Sequence, residues 1–445
     1  MKRFASMMLF IMLAGILAAC GGTTAVAPTT APVAPATTAP QPTTAPVAPA
    51  TTAPQPTTAA ATTAPEATTA ATTTGTGAMM DVTGELTIWH AYGTGSSEET
   101  AVGEIVKNAQ AKFPKATINV LQIPFDQVFT KFETEAAAGG GPDMWIAPND
   151  NLGTQVRAGL LLDVTELTKG MLDNTLPLAI EGCTVDGKLY CVPESLKAVA
   201  LYYNKAKVAS PPKTTEELLK LVQGGNTLAL NQNAYHNFGF WGAFGGKLFD
   251  AKGTFTSDKG GFTEAMTYLQ TLKKESNVQF YTDGGAADTA FREGTADMII
   301  NGPWALGDYR TDLKDNLAVA PMPAGPGGPA SPLTGVDGFY INKNTKNAAG
   351  AVALAVYMVS PEAEQIYVDV AGHVPADKRV KVSDALVQGF AASAATGYPR
   401  PQFAQLNNYW GPFGDAINAV LEEGTDPAQA IIDATTKAND ASKTP

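Results

Sequence analysis

Five aromatic residues, Tyr235, Trp241, Trp304, Tyr409 and Trp410, stand close to glycine or proline and off the periodic apolar faces. That placement predicts rings in loops. A flat ring matches the C–H face of a pyranose, and polar neighbours can take the hydroxyls. For any one ring, packing in a core is the competing reading. No catalytic constellation accompanies the rings. His90, His236 and His373 lack metal-ligand spacing, so no metal and no cofactor is expected. Gly93-Thr94-Gly95-Ser96-Ser97 is glycine-rich, but no lysine follows it, which leaves a phosphate-loop reading weak. There is no GxSxG elbow, and no carboxylate pair stands out as an acid–base couple.

The three cysteines divide by context. Met1-Lys2-Arg3 opens an apolar run ending in Leu17-Ala18-Ala19-Cys20, too short for the roughly 20 residues of a membrane span. A small-residue ending directly before cysteine resembles a bacterial lipobox, so residues 1–19 are expected to be removed and Cys20 lipidated. Cys183 and Cys191 remain as a pair for an oxidising compartment. They flank Val185-Asp186-Gly187-Lys188, a hairpin signal, and a three-residue loop there would set them opposite each other for a disulfide.

From Cys20 to residue 80 the chain is almost wholly Thr, Ala, Pro, Gln and Gly, and Thr29–Pro42 recurs unchanged as Thr43–Pro56. This composition buries too little apolar surface to offset ordering entropy, so an unfolded, proline-stiffened arm is expected. About 365 residues then remain, more than one hydrophobic core supports, which predicts two lobes. A net charge of −12 argues against nucleic acid or an anionic membrane surface as partner.

Strands and helices must position the rings. Leu86–Trp89, Thr117–Ile123 and Met144–Ala147 read as strands, separated by helices over Glu98–Phe113 and Phe125–Ala138, with Val102, Ile105, Ala109 and Phe113 on one face. Strands alternating with helices imply a parallel sheet. A second α/β region is expected over Thr227–Pro323, a surface loop over Ala324–Pro332, and helices in the last ~60 residues.

The blocks GELTIW (Gly84–Trp89), GGGPDMW (Gly139–Trp145), DGKLYCVP (Asp186–Pro193), ALYYNK (Ala200–Lys205), FREGTADMIINGPWAL (Phe291–Leu306), GVDGFYIN (Gly335–Asn342) and NNYWGPFGDAI (Asn407–Ile417) follow one another in an order that resembles the extracellular solute-binding proteins of ABC importers. The maltose/maltodextrin branch is the nearest match. The resemblance implies a periplasmic-binding-protein-like α/β fold of two discontinuous lobes with a hinge and an interlobe ligand cleft. The first lobe would hold residues 81–196 and 338–388, the second 197–337 and 389–445. Crossings would lie near Ser195–Ala198, Thr334–Gly338 and Leu386–Ala391. It also implies Asp150 as a hydroxyl acceptor, Tyr235, Trp304 and Trp410 as stacking rings, and Lys197, Asp337 and Tyr409 as further contacts. Three positions depart from the branch: Gly93-Thr94 replaces an Asp-Lys pair, Ala147 a stacking Trp, and Lys197 a Glu.

The expectation is a monomeric, extracytoplasmic protein, anchored through Cys20, that passes an oligosaccharide to permease subunits with a cytoplasmic ATPase. Alternatives are another sugar (trehalose, a xylo-oligosaccharide or a phosphorylated polyol), a surface sensor, and a glycan hydrolase. The hydrolase needs two carboxylates about 5–9 Å apart, and only Asp150 suggests itself. Lys197 reads equally well as a hydroxyl donor or as a solvated hinge lysine.

Overall fold

The computed structural model describes residues 81–443. Cys20, the signal and the arm lie outside the described residues. The expected early elements form as strands Gly84–His90, Ala116–Gln122 and Met144–Pro148 and helices Ser97–Lys112 and Phe125–Ala137. Ser96 explains the glycine-rich stretch: its hydroxyl accepts the Glu99 N–H at 3.1 Å and caps the first helix.

Two sheets carry the chain. The first runs Val374–Pro375, Cys191–Lys197, Leu333–Ile341, Met144–Pro148, Gly84–His90, Ala116–Gln122, with Tyr398–Pro399 attached to Leu333–Thr334. The second runs Leu317–Ala320, Ala200–Asn204, Met298–Asn301, Leu228–Asn231, Val278–Tyr281. Neither is purely parallel, as alternation alone had implied. Leu333–Ile341 is antiparallel to Met144–Pro148, and Ala200–Asn204 to Met298–Asn301. The reason is topological. Cys191–Lys197 leaves the first sheet and continues through Ala198–Val199 into Ala200–Asn204. A strand that enters a lobe from its neighbour must oppose strands whose C-terminal ends face that neighbour. The parallel strands of both lobes therefore end towards the same gap, where α/β sheets bind ligands.

Within strand Leu333–Ile341, Leu333 packs in the second hydrophobic core and Leu333–Thr334 pair with Tyr398–Pro399, whereas Gly335–Ile341 pair with Cys191–Lys197 and Met144–Pro148 of the first sheet. Leu386–Ala391, where the third crossing is expected, lies in helix Ala385–Ala395, whose Ser393 hydroxyl donates to the Val199 carbonyl at 2.8 Å. Ala324–Pro332 is a loop, but a tightly seated one: a Cβ on Gly325 or Gly327 would run into the backbone of Ala243–Gly245.

Cys183 and Cys191 are bonded, with Cα atoms 5.1 Å apart. The turn differs from the three-residue loop expected. Val185 pairs with Lys188, leaving Asp186-Gly187 as a two-residue turn with φ of 50° and 77°. Cys183 thus faces Tyr190, whose N–H donates to its carbonyl at 2.9 Å. The sulfurs still meet because Cys183 is the residue leaving helix Pro177–Gly182, with φ −101° and ψ 1°, and not a strand residue. On the adjacent strand Gly338 leaves the bridge its room, since a Cβ there would lie 2.7 Å from the Cys191 sulfur.

Candidate functional site

Three strand ends deliver Asp150 and the rings. After Met144–Pro148, Asn149 is fastened to the neighbouring strand: its amide donates to the Gly182 carbonyl at 2.9 Å and its Oδ1 accepts the Val336 N–H at 3.1 Å. Asp150 follows and forms an ion pair with Arg400. After Leu228–Asn231, Asn233 Oδ1 accepts the N–H groups of Tyr235 (3.1 Å) and His236 (2.9 Å), a local turn that projects both rings. The Asn237 amide closes this loop on the carbonyls of Asn231 and Asn233 at 2.7 and 2.9 Å. After Met298–Asn301, Gly302-Pro303 turns Trp304 into the same space, and a Cβ at Gly302 would collide with the indole.

These rings form one platform. Tyr235 and Trp304 centroids are 6.0 Å apart at 39°, and His236 meets Trp304 edge-on at 6.0 Å. The Arg400 guanidinium sits 5.7 Å from the Tyr235 ring centroid. Burial pulls Arg400 down to about 9. Burial holds His236 at about 4, so it is neutral at physiological pH.

Trp410 and Tyr409 lie in helix Asn407–Glu422 and not in a loop. Trp410 is part-buried against Tyr409. Tyr409 is fully buried; its hydroxyl accepts from Trp241 Nε1 at 2.8 Å and donates to the Ala234 carbonyl at 2.9 Å. It therefore anchors the loop that carries Tyr235. Trp241 is likewise core, stacked on Phe262 at 4.8 Å. The loop reading of these three rings fails because helical neighbours, not glycine and proline, set their surroundings.

The hinge strands carry a buried charge cluster. Lys197 is 5 % exposed, so the solvated-lysine reading is corrected. Its ammonium donates to Glu98 at 2.5 Å and lies 3.3 Å from Asp337. His373 bridges Glu98 (2.8 Å) and Glu194 (2.9 Å) through its two nitrogens. Burial opposes charge in all of these. Even so, Lys197 and His373 hold Glu98 down to about 2, and Glu194 leads in raising His373 to about 9. Burial raises Asp337 to about 6, with Lys197 resisting.

Arg400, His236, Glu98 and His373 were not picked out by sequence reasoning. Arg400 is a single basic residue between prolines, and the partners of His373 lie 179 and 275 residues away. Among the described residues no three His, Cys, Asp or Glu side chains gather as a metal site.

Across the gap the lobes also touch directly. Arg157 donates to the Gln402 carbonyl at 2.8 Å, and the Asn407 amide to Thr154 at 3.0 Å.

A family model described as bacterial extracellular solute-binding protein matches residues 104–395. The chain is 28% identical to the maltodextrin-binding protein MdxE of Bacillus subtilis (strain 168), over 71% of this chain and 82% of that one. It is 27% identical to the galactooligosaccharide-binding protein of the same organism, over 78% and 87%. Among solved structures, the Thermus thermophilus maltotriose binding protein bound with maltotriose superposes with a TM-score of 0.72 at 31% identity, covering 80% of this chain and 99% of that chain.

Proposed function

Since the chain belongs to the bacterial extracellular solute-binding proteins, we propose that it captures a maltodextrin-like oligosaccharide between its lobes and delivers it to an ABC importer. The observation that carries this reading is the Tyr235–Trp304 platform of the second lobe, gathered with the Asp150–Arg400 ion pair. The rings take the C–H faces of sugar units, while the ion pair supplies a hydroxyl acceptor and a hydroxyl donor. Trp410 extends the platform, Lys197 and Asp337 line the floor, and Tyr409 holds the loop beneath Tyr235. The work done is closure and not catalysis: contacts to both lobes exist only in the closed form, so ligand shifts the population towards it. Delivery requires a permease with a cytoplasmic ATPase, and the protein acts as a monomer.

Calorimetric titration with maltotriose and with a galactotriose tests the ligand. Saturable one-to-one binding of maltotriose is expected. Binding of the galactotriose alone transfers the site to the second reading, which the galactooligosaccharide-binding relative favours. A silent titration with both sinks the oligosaccharide reading.

The anchor rests on Leu17-Ala18-Ala19-Cys20. One acyl chain gives only marginal membrane binding, so stable tethering takes more than one. Cys20→Ser is expected to release the protein into the medium; retention in the membrane fraction overturns the lipid anchor.

A further inference from the structure

The cleft floor holds an imbalance. Three carboxylates, Glu98, Glu194 and Asp337, face two cations, Lys197 and His373, all within one buried cluster where the hinge strands meet the first helix. Glu98 is engaged by both cations, and Glu194 accepts from His373 and from the Ser195 hydroxyl. Asp337 has one oxygen beside Lys197, while its Oδ1 is buried with no hydrogen-bond partner in the protein. An unpaired buried carboxylate oxygen is costly, and either a proton or a donor from a bound molecule relieves it.

The strand register sets Asp337 on the face that Arg400 covers. Gly335 and Asp337 share a face of Leu333–Ile341, and Gly335 is the residue over which Arg400 lies, its Cβ position 3.2 Å from the guanidinium carbon. Lys197 pairs with Gly335 across the strands. Asp337 also acts electrostatically on Tyr235, which stands on the opposite lobe.

We propose that a ligand hydroxyl and a proton compete for Asp337, so that capture by this cleft is coupled to proton release. This rests on the reading of the cleft as a saccharide site. A hydroxyl donated to Asp337 Oδ1 stabilises the carboxylate, and the proton that Asp337 carried in the open, ligand-free protein passes to solvent. No covalent bond changes.

Glu98 and His373 keep their charge through the working range. Asp337 faces Lys197 and Glu194 on the neighbouring strand, Glu98 from the first helix, His373 from the turn before Val374, and the phenols of Tyr92, Tyr340 and Tyr367. From the second lobe it faces Tyr235 with Arg400 alongside, and Arg400 is paired with Asp150 of the first lobe. Between pH 5 and 8, Glu98, held at about 2, stays ionised and His373, raised to about 9, stays protonated. Burial, with negative neighbours, raises the phenols out of range. Asp337, raised by burial to about 6, is left to titrate.

The sign follows. Above about pH 6 the carboxylate is ready and affinity is flat; below it, affinity falls with the ionised fraction. Near pH 5 about one molecule in ten is competent, so maltotriose binding weakens roughly tenfold from its value near pH 7.5.

Calorimetry on the intact protein in buffers of differing ionisation enthalpy reads this directly. Near pH 6 a net release of a fraction of a proton per maltotriose is expected, and Asp337→Asn is expected to abolish both the release and the pH dependence. Equal affinity near pH 5 and pH 7.5 with no proton release in the unaltered protein overturns the proposal, whether or not the variant folds. Pronounced pH dependence that survives Asp337→Asn also overturns it. No maltotriose binding at any pH overturns the glucan reading itself.

Discussion

Trp304→Ala is expected to weaken maltotriose binding at least tenfold, about 1.4 kcal/mol, while the variant stays folded. The indole is part-buried on a short turn and touches the edges of both hydrophobic cores. It is also the ring on which Tyr235 and His236 converge. Losing it removes the largest apolar face offered to a sugar and leaves Tyr235 without its neighbour. Stability falls less than the about 3–5 kcal/mol of a deleted core tryptophan, because the ring is only part-buried. Calorimetry with maltotriose and a melting curve on the same sample decide the matter. Undiminished affinity, or a variant that no longer folds, shows the ring to be core and the platform misassigned.

Gly153→Ala is expected to hold the lobes apart and cost affinity without harming either lobe. Gly153 lies in helix Leu152–Arg157 and has no positive φ, so alanine suits its backbone and even favours the helix by roughly 0.5–1 kcal/mol. The space for its Cβ, however, is taken by the Gln402 carbonyl of the opposite lobe. A backbone carbonyl cannot swing away as a side chain can, so closure stops short. The contacts of Arg157 with Gln402 and of Asn407 with Thr154 are then lost with it. Gly307 is the counterpart on the second lobe: in helix Leu306–Leu313, a Cβ there would lie 2.6 Å from that of Ser97. Overpacking of this kind costs about 1–3 kcal/mol, which corresponds to roughly five- to 150-fold in affinity. Scattering curves with saturating maltotriose would show a larger radius for either variant than for the parent. A variant that compacts and binds like the parent removes these glycines from the closing contact.

Much of the frame was legible from local pattern. The strands and helices of the first 65 or so described residues follow from period-2 and period-3.6 spacing, and their observed bounds lie within two residues of expectation. Asp150 came from the family resemblance alone, and Tyr235 and Trp304 from that resemblance together with their place among aromatics near glycine or proline; in the structure each follows a strand. Tyr409 was misread because proline and glycine close by imitate a loop signal. Pro412 instead sits inside a helix whose apolar face, with Phe413, Ile417 and Val420, carries Tyr409 into the core.

What the sequence by itself determined is whatever depends on neighbours in the chain: the apolar run before Cys20, the Thr/Ala/Pro-rich composition that follows it, the alternation of elements and the cysteine pair. What only the tertiary structure decided is whatever depends on partners far apart along it. Arg400 meets Asp150 across 250 positions, and Glu98, Lys197, Asp337 and His373 assemble from four separate segments. The physical reason is range. Hydrophobic period and turn chemistry act over a few residues, whereas desolvation and charge act through space. The protonation of Asp337 and the room left by Gly153 are therefore set only once both lobes are built.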